Sequence, residues 1–304
     1  MNKEGAPSLQ KVGTDHISLL EDLKSLFKAY VLVANVLPVF TGFWLAIYFA
    51  NDSFMANWDV FVLTMIGSTL VMAGALVINN WYDVDIDTIM ERTKKRPTVT
   101  GHFSLKTVLS LGIAFSVLGM IILLFISVES AIYAFIGWFT YVILYTMWSK
   151  RRYTLNTVIG SISGAVTPLI GWTAISSGFH IVPIVLFLIL FIWQMPHTFA
   201  IAIRKYDEYK AAGVAMLPVV HGFDITKRQF FVYSACLIPL PFLIPQLGLV
   251  FLIIATLLNI GWIVVSISGF MAKDNQKWAR MAFLYSVNYV TIIFLLAVIV
   301  TLSL

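Results

Sequence analysis

The chain has 304 residues, of which 60% are hydrophobic and 12% charged, with a formal net charge of +5 and a mean hydropathy of +0.89. These values exclude an ordinary soluble enzyme, a disordered chain and a nucleic-acid-binding module, and indicate a polytopic membrane protein. A single cysteine, Cys236, excludes an intrachain disulfide and any cysteine-cluster metal site.

Residues 1–26 are polar and mixed in charge, with no apolar core followed by a small-residue cleavage site, so they read as a short cytoplasmic segment and not as a signal peptide. Residues 27–304 contain no Gly/Ser-rich or Pro-rich linker and read as one domain. Stretches of about 20 mostly apolar residues predict nine spanning helices, at 29–50, 57–81, 105–127, 130–148, 155–176, 180–203, 229–247, 249–271 and 281–303. The seventh and eighth are the hardest to separate, because Pro239, Pro241 and Pro245 interrupt that region. With this count all 20 Lys and Arg fall on one side of the membrane, and the loops around Asp52, Glu129, His180 and Gly248 carry none. The fold class is therefore all-α, one bundle around a cytoplasm-facing pocket, with the N-terminus inside and the C-terminus outside. The charges also suit contact with anionic membrane lipid.

The second span ends in Asn79, Asp83 and Asp87, and a step of four residues turns about 400° on a helix and rises about 6 Å. The three form one polar stripe at a helix end, with Asp85 rotated away from it. A carboxylate beside so apolar a segment is a functional hypothesis by default. Oxygen donors on one stripe suit magnesium, which takes one or two carboxylates and completes its shell with water and phosphate oxygens. Downstream, Arg92 and Arg96 suit phosphate oxygens. The competing reading is that these acids and bases only pair with each other in a solvated loop.

After the fourth span comes Lys150-Arg151-Arg152, and Lys150 and Arg151 add charge to the same mouth. Gly160, Ser161, Ser163, Gly164 and Ala165 follow, small residues that let helices approach closely. The sixth span carries Trp193-Gln194-Met-Pro196-His197, where Pro196 predicts a kink with Gln194 and His197 facing inward. A neutral histidine there serves either as an iron ligand or base, or as a hydrogen-bonded packing residue, and both readings stay open. At its exit Asp207 and Glu208 offer further metal ligands, and Arg204, Lys205 and Lys210 further phosphate contacts.

Taken together, the chain resembles the intramembrane prenyltransferase superfamily of UbiA type, and within it the branch that farnesylates haem. The resemblance rests on Asn79-Asn80-Trp81-Tyr82-Asp83-Val84-Asp85-Ile86-Asp87 with Met90, Arg92, Thr93, Arg96 and Pro97; on Lys150-Arg151 with Thr154, Asn156 and Ile159-Gly160; on Thr167-Pro168 with Gly171-Trp172; and on Trp193-Gln194, Pro196-His197, Asp207, Tyr209, Gly213 and Met216-Leu217-Pro218. It covers the second to sixth spans and their loops. Other superfamily members place an aspartate where this chain has His197. Around the first span Phe27-Lys28-Ala29-Tyr30 stands for the branch's Lys-Pro-Arg triplet, so no role is assigned there.

The resemblance implies transfer of a farnesyl group from farnesyl diphosphate to a vinyl group of haem B in the plasma membrane. It implies Mg2+ held by Asn79, Asp83, Asp87 and Asp207, which are also the catalytic residues. It implies diphosphate contacts from Arg92, Arg96, Lys150, Arg151, Arg204, Lys205 and Lys210, and haem contacts from Trp193, Gln194 and His197. Partners from haem biosynthesis or oxidase assembly fit the same picture. Two alternatives remain: an aromatic polyprenyltransferase of quinone synthesis on the same fold, and a non-catalytic haem or lipid transporter.

Overall fold

The computed structural model describes residues 19–302. In chain order the helices are α1 (Leu19–Leu26), α2 (Ala29–Ala50), α3 (Trp58–Tyr82), α4 (Val84–Asp87), α5 (Pro97–Thr100), α6 (Leu105–Ile126), α7 (Val128–Phe139), α8 (Asn156–Ala165), α9 (Thr167–Trp172), α10 (Ile181–Arg204), α11 (Tyr206–Ala211), α12 (Leu217–Cys236), α13 (Gly248–Met271) and α14 (Asn275–Ile299). No strand interrupts them among the described residues. Lipid offers backbone groups no hydrogen-bond partners, so an apolar chain of this kind satisfies itself within helices.

Among the described residues seven helical stretches are long and apolar enough to cross a membrane, counting α7 together with its continuation to Ser149. The predicted fifth and seventh spans are not single helices. The fifth breaks between α8 and α9 at Val166, where Thr167-Pro168 starts a new helix. A proline is tolerated in a first turn because its missing N–H would be unsatisfied there anyway. The seventh corresponds to α12, which carries a non-helical Gly222 and gives way to short 3-10 turns at Leu240–Leu243 and Pro245–Leu247. The prolines that blur the sequence pattern there remove the N–H groups a continuous helix needs.

Close backbone contacts tie the bundle. A Cβ on Gly42 would lie 2.0 Å from the Pro168 carbonyl oxygen, and one on Gly171 would lie 1.9 Å from that of Val39, so α2 and α9 meet backbone to backbone. Gly164 is close to the Gln194 side chain, where an added Cβ would be 2.7 Å from Oε1. The small residues of the predicted fifth span thus serve packing, as such stripes do in membranes.

Residues 19–26 form a docked helix. Leu26 and Phe27 pack with Val77 and Val108, Phe27 stacks on Phe115 at 5.7 Å, and the Asn80 amide donates to the Leu26 carbonyl at 2.7 Å. Asp22 contacts His102 at 3.0 Å. The other polar loops meet at the same end. Asn156 donates to the Ala215 carbonyl at 2.9 Å and Gln276 to that of Ile203 at 3.0 Å. Ile86 of α4 packs with Ala202, Val214 and Met216. The two loops that follow α3 and α10 therefore share one small apolar core.

Candidate functional site

Helix α3 ends at Tyr82, yet the stripe survives the break. The Asp83 N–H donates to the Asn79 carbonyl at 3.0 Å and the Asp87 N–H to the Asp83 carbonyl at 2.9 Å, so each step of four is one helical turn. The side chains are sequestered: Asn79 is 2% exposed, Asp83 0% and Asp87 3%. Burying carboxylates at this depth requires partners, and basic groups arrive from three elements. Lys150 pairs with Asp83, Arg96 pairs with Asp87, and Lys28 donates to the Asn79 amide oxygen. The Asn79 amide nitrogen then donates to Asp83 Oδ2 at 2.7 Å and to Thr146 Oγ1 at 3.0 Å.

Local sequence explains each approach. Arg96 precedes Pro97, which disfavours helical geometry, and its backbone is extended (φ −63°, ψ 144°) before α5 begins. Thr93 anchors that loop by donating its hydroxyl to the Asp87 carbonyl at 3.0 Å. Residues Thr140–Ser149 are wound as a π-helix, and the Lys150 N–H reaches back five residues to Tyr145 at 2.9 Å. Such windings are rare and frequent at functional sites; this one ends with Thr146 and Lys150 against the stripe. Lys28 sits between α1 and α2 in left-handed geometry (φ 47°). Burial, then the neighbouring Arg96 and Lys150 charges, draw its ammonium well below the usual lysine range.

Three basic side chains and two carboxylates meet here. Asp83 Oδ1 is buried without a hydrogen bond, and the Arg151 guanidinium lies 3.7 Å from it. Arg151 is committed elsewhere. It holds Asp85 with two bonds, at 2.5 and 2.7 Å, and lies over the Tyr82 ring at 5.3 Å. That hydrogen bonding keeps the Asp85 carboxyl below its ordinary range and the guanidinium above its own. Arg92 is exposed and lines a surface recess of about 400 Å³ with Lys24 and Lys28.

The second group of predicted residues opens onto a different space. A cavity of about 710 Å³ between α2, α10 and α14 is lined by Trp193, Gln194 and His197, with Phe283 of α14 beside His197. His197 Nδ1 is 2.6 Å from Ser286 Oγ, and its ring stacks on Trp193 with centroids 4.7 Å apart. Trp193 donates to the Ser286 carbonyl at 2.9 Å. Gln194 donates to the carbonyls of Ser161 at 3.0 Å and Leu190 at 3.2 Å. The histidine is therefore oriented by one ring nitrogen while it faces a cavity within the usual size range for ligand sites. A narrower cleft of about 80 Å³ runs beside Met72, Ala75, Trp138 and Tyr141 and shares Val31, Asn35 and Gly164 with the large cavity.

Asp207 is exposed at the start of α11 and lines a shallow surface pocket with Tyr206, Phe223 and Gln276. Among the described residues no group of three or more His, Cys, Asp or Glu is gathered as a metal site. Lys205 pairs with Glu208 at 2.6 Å, Lys210 lies over Tyr206 at 5.7 Å, and Arg204 lies over Phe283 at 4.8 Å. None of these three bases contacts the Asn79 cluster. Sequence reasoning assigned no site role to Lys28 or to Thr93, which it named only as part of the family motif, and missed Thr146. Lys28 was legible only as a basic residue at the edge of the first span, and Thr146 had no signal.

Comparison with known proteins gives this geometry its context. The UbiA prenyltransferase family model matches residues 35–287. A protein of Oceanobacillus iheyensis named protoheme IX farnesyltransferase is 53% identical over 310 residues, 99% of each chain. A Bacillus subtilis protein named protoheme IX farnesyltransferase 2 is 53% identical over 93% of this chain and 92% of its own length. Among solved structures, one of digeranylgeranylglyceryl phosphate synthase superposes with TM-score 0.75 at 19% identity, covering 94% of this chain and 99% of the other. A UbiA homologue of Archaeoglobus fulgidus bound to DMAPP and Mg2+ gives TM-score 0.70 at 16% identity, covering 89% and 99%. With its buried polar stripe, its helical bundle and this whole-length likeness, the chain belongs to the UbiA prenyltransferase family.

Proposed function

We infer that the protein transfers the farnesyl group of farnesyl diphosphate to a vinyl group of protohaem IX. The C–O bond to diphosphate breaks and a carbon–carbon bond forms between farnesyl C1 and one vinyl carbon. Water adds its oxygen to the other vinyl carbon and releases a proton, and diphosphate departs. The observation that carries this is the 53% identity, across 99% of both chains, with the Oceanobacillus protein of that name.

The two sites divide the work. The Asn79 cluster is proposed for the diphosphate. Asp83 Oδ1, buried and without a hydrogen bond, is an oxygen donor awaiting a partner. With Asn79 and Asp87 beside it, the donor set suits a hard cation. Asn79, Asp83 and Asp87 would hold magnesium, which when bound supplies charge neutralisation for the leaving diphosphate; Asp207, expected as a fourth donor, lines a separate surface pocket. Lys28, Arg96 and Lys150 present ammonium and guanidinium groups where negative charge grows as the C–O bond breaks, with Arg92 and Arg151 at the rim.

The narrow cleft starts one turn along α3 from Asn79, at Ala75, and its apolar walls suit the start of the farnesyl chain. The large cavity suits haem, with His197 and the Trp193 ring at its wall. Because the positive loops gather at one end of the bundle, that end is proposed to face the cytoplasm across the plasma membrane.

Purified protein in lipid nanodiscs, given farnesyl diphosphate and either haem B or 4-hydroxybenzoate, tests the acceptor. Farnesylated haem is the expected product. A farnesylated phenol with unchanged haem would replace this reading with quinone-type chemistry.

A further inference from the structure

Helix α10 presents Leu190, Gln194, His197 and Ile201 to the large cavity, and the same stripe continues to Arg204 at its C-terminal end. Seven residues return a helix to within about 20° of the same face after a rise of about 10.5 Å, so Arg204 lies two turns from His197 on one side of α10. Phe283 links them directly: its ring centre is 5.3 Å from that of His197 and 4.8 Å from the Arg204 guanidinium carbon. Among the described residues Arg204 has neither an ion pair nor a side-chain hydrogen bond, whereas Lys205 and Lys150 are paired with carboxylates. A half-buried guanidinium without an anion therefore lies on an aromatic ledge beside the cavity, at its loop end.

A guanidinium presents a planar fork of donors that matches a carboxylate with two parallel hydrogen bonds. The acceptor is a flat, apolar macrocycle with two carboxylates on one edge and its vinyl groups away from them. We propose that Arg204, held on Phe283 beside His197, binds a propionate carboxylate of the haem and so fixes which edge of the macrocycle faces the interior. This rests on the reading that the His197 cavity holds the haem. It assigns Arg204 to the acceptor and not to the diphosphate, which already has Lys28, Arg96 and Lys150. With the carboxylate edge at the loop end, the vinyl edge faces the junction of the two cavities at Val31, Asn35 and Gly164.

The test measures affinity for haem B and for its propionate dimethyl ester, by absorbance titration of the full chain in nanodiscs, alongside the KM for farnesyl diphosphate. The wild type should bind the ester at least tenfold more weakly than haem B. Arg204→Gln should bind haem B about as weakly as the wild type binds the ester, show no preference between the two, and keep its farnesyl diphosphate KM within about twofold. Arg204→Lys should recover part of the preference. The ester comparison uses the unmodified chain, so equal wild-type affinity for acid and ester overturns the proposal whatever the variants do. A raised farnesyl diphosphate KM in Arg204→Gln, with the haem preference intact, overturns it in favour of a diphosphate role. Should the cavity assignment itself be wrong, His197→Ala would leave haem affinity unchanged; should only the carboxylate subsite be wrong, His197→Ala would weaken haem while Arg204→Gln would not.

Discussion

Asp83 lies at the crossing of the buried network, bonded to Asn79 and Lys150 and approached by Arg151. Removing its carboxylate leaves the Lys150 ammonium without its carboxylate partner, an error that costs about 3–5 kcal/mol in buried pairs. Asp83→Asn keeps the volume and a hydrogen-bonding oxygen, so it separates chemistry from folding. It is expected to lower turnover at least ~100-fold, measured as farnesylated haem per minute, with helical circular dichroism unchanged. Asp85 provides the contrast, being exposed and paired outward to Arg151. Asp85→Asn should change stability by less than about 1 kcal/mol and leave the farnesyl diphosphate KM nearly intact; a loss equal to that of Asp83→Asn would place Asp85 in the site. Lys28→Met should raise the farnesyl diphosphate KM roughly tenfold, the scale of one charge-assisted hydrogen bond, while haem affinity holds. His197→Ala should do the reverse, weakening haem more than farnesyl diphosphate, and equal losses would mark the histidine as structural. The stripe was legible in sequence because a period of four is a helix turn. Lys28 was not, because a left-handed residue joining two helices leaves no periodic trace.

At the scale of elements, the helices α2, α3, α6, α10 and α13 follow the hydropathy of the chain closely, since an uninterrupted apolar stretch has no other way to satisfy its backbone in lipid. The broken ones do not. Nothing in the apolar run 155–176 distinguishes an intact helix from one that restarts at Thr167-Pro168, because the break depends on how closely α2 approaches. Gly171→Ala tests that contact: its methyl would be driven into the Val39 carbonyl, and overpacking of this kind costs about 1–3 kcal/mol. A lowered melting temperature in detergent is the expected reading, and no change would mean α2 and α9 can separate freely. The π-helical end of the fourth span was equally invisible, since i to i+5 and i to i+4 windings share the same apolar pattern.

At the scale of the molecule, two sites that are 118 residues apart in sequence, at Asn79 and His197, are joined by loops that pack together through Ile86, Ala202 and Met216 and by cavities that share Val31, Asn35 and Gly164. Sequence placed both sites at helix ends on one face, but could not say that they open onto separate spaces, nor that Arg204 leaves the basic loop for the His197 side. On the proposed reading, that division lets one activated prenyl group meet one acceptor. The most direct test is the mass of haem extracted from membranes holding the wild-type chain or Asp83→Asn at equal abundance, after incubation with haem B and farnesyl diphosphate. The account predicts a heavier haem, increased by one farnesyl group and one hydroxyl, with the wild type and unmodified haem B with the variant. Heavier haem at equal levels from both, or haem B alone from both, would contradict it.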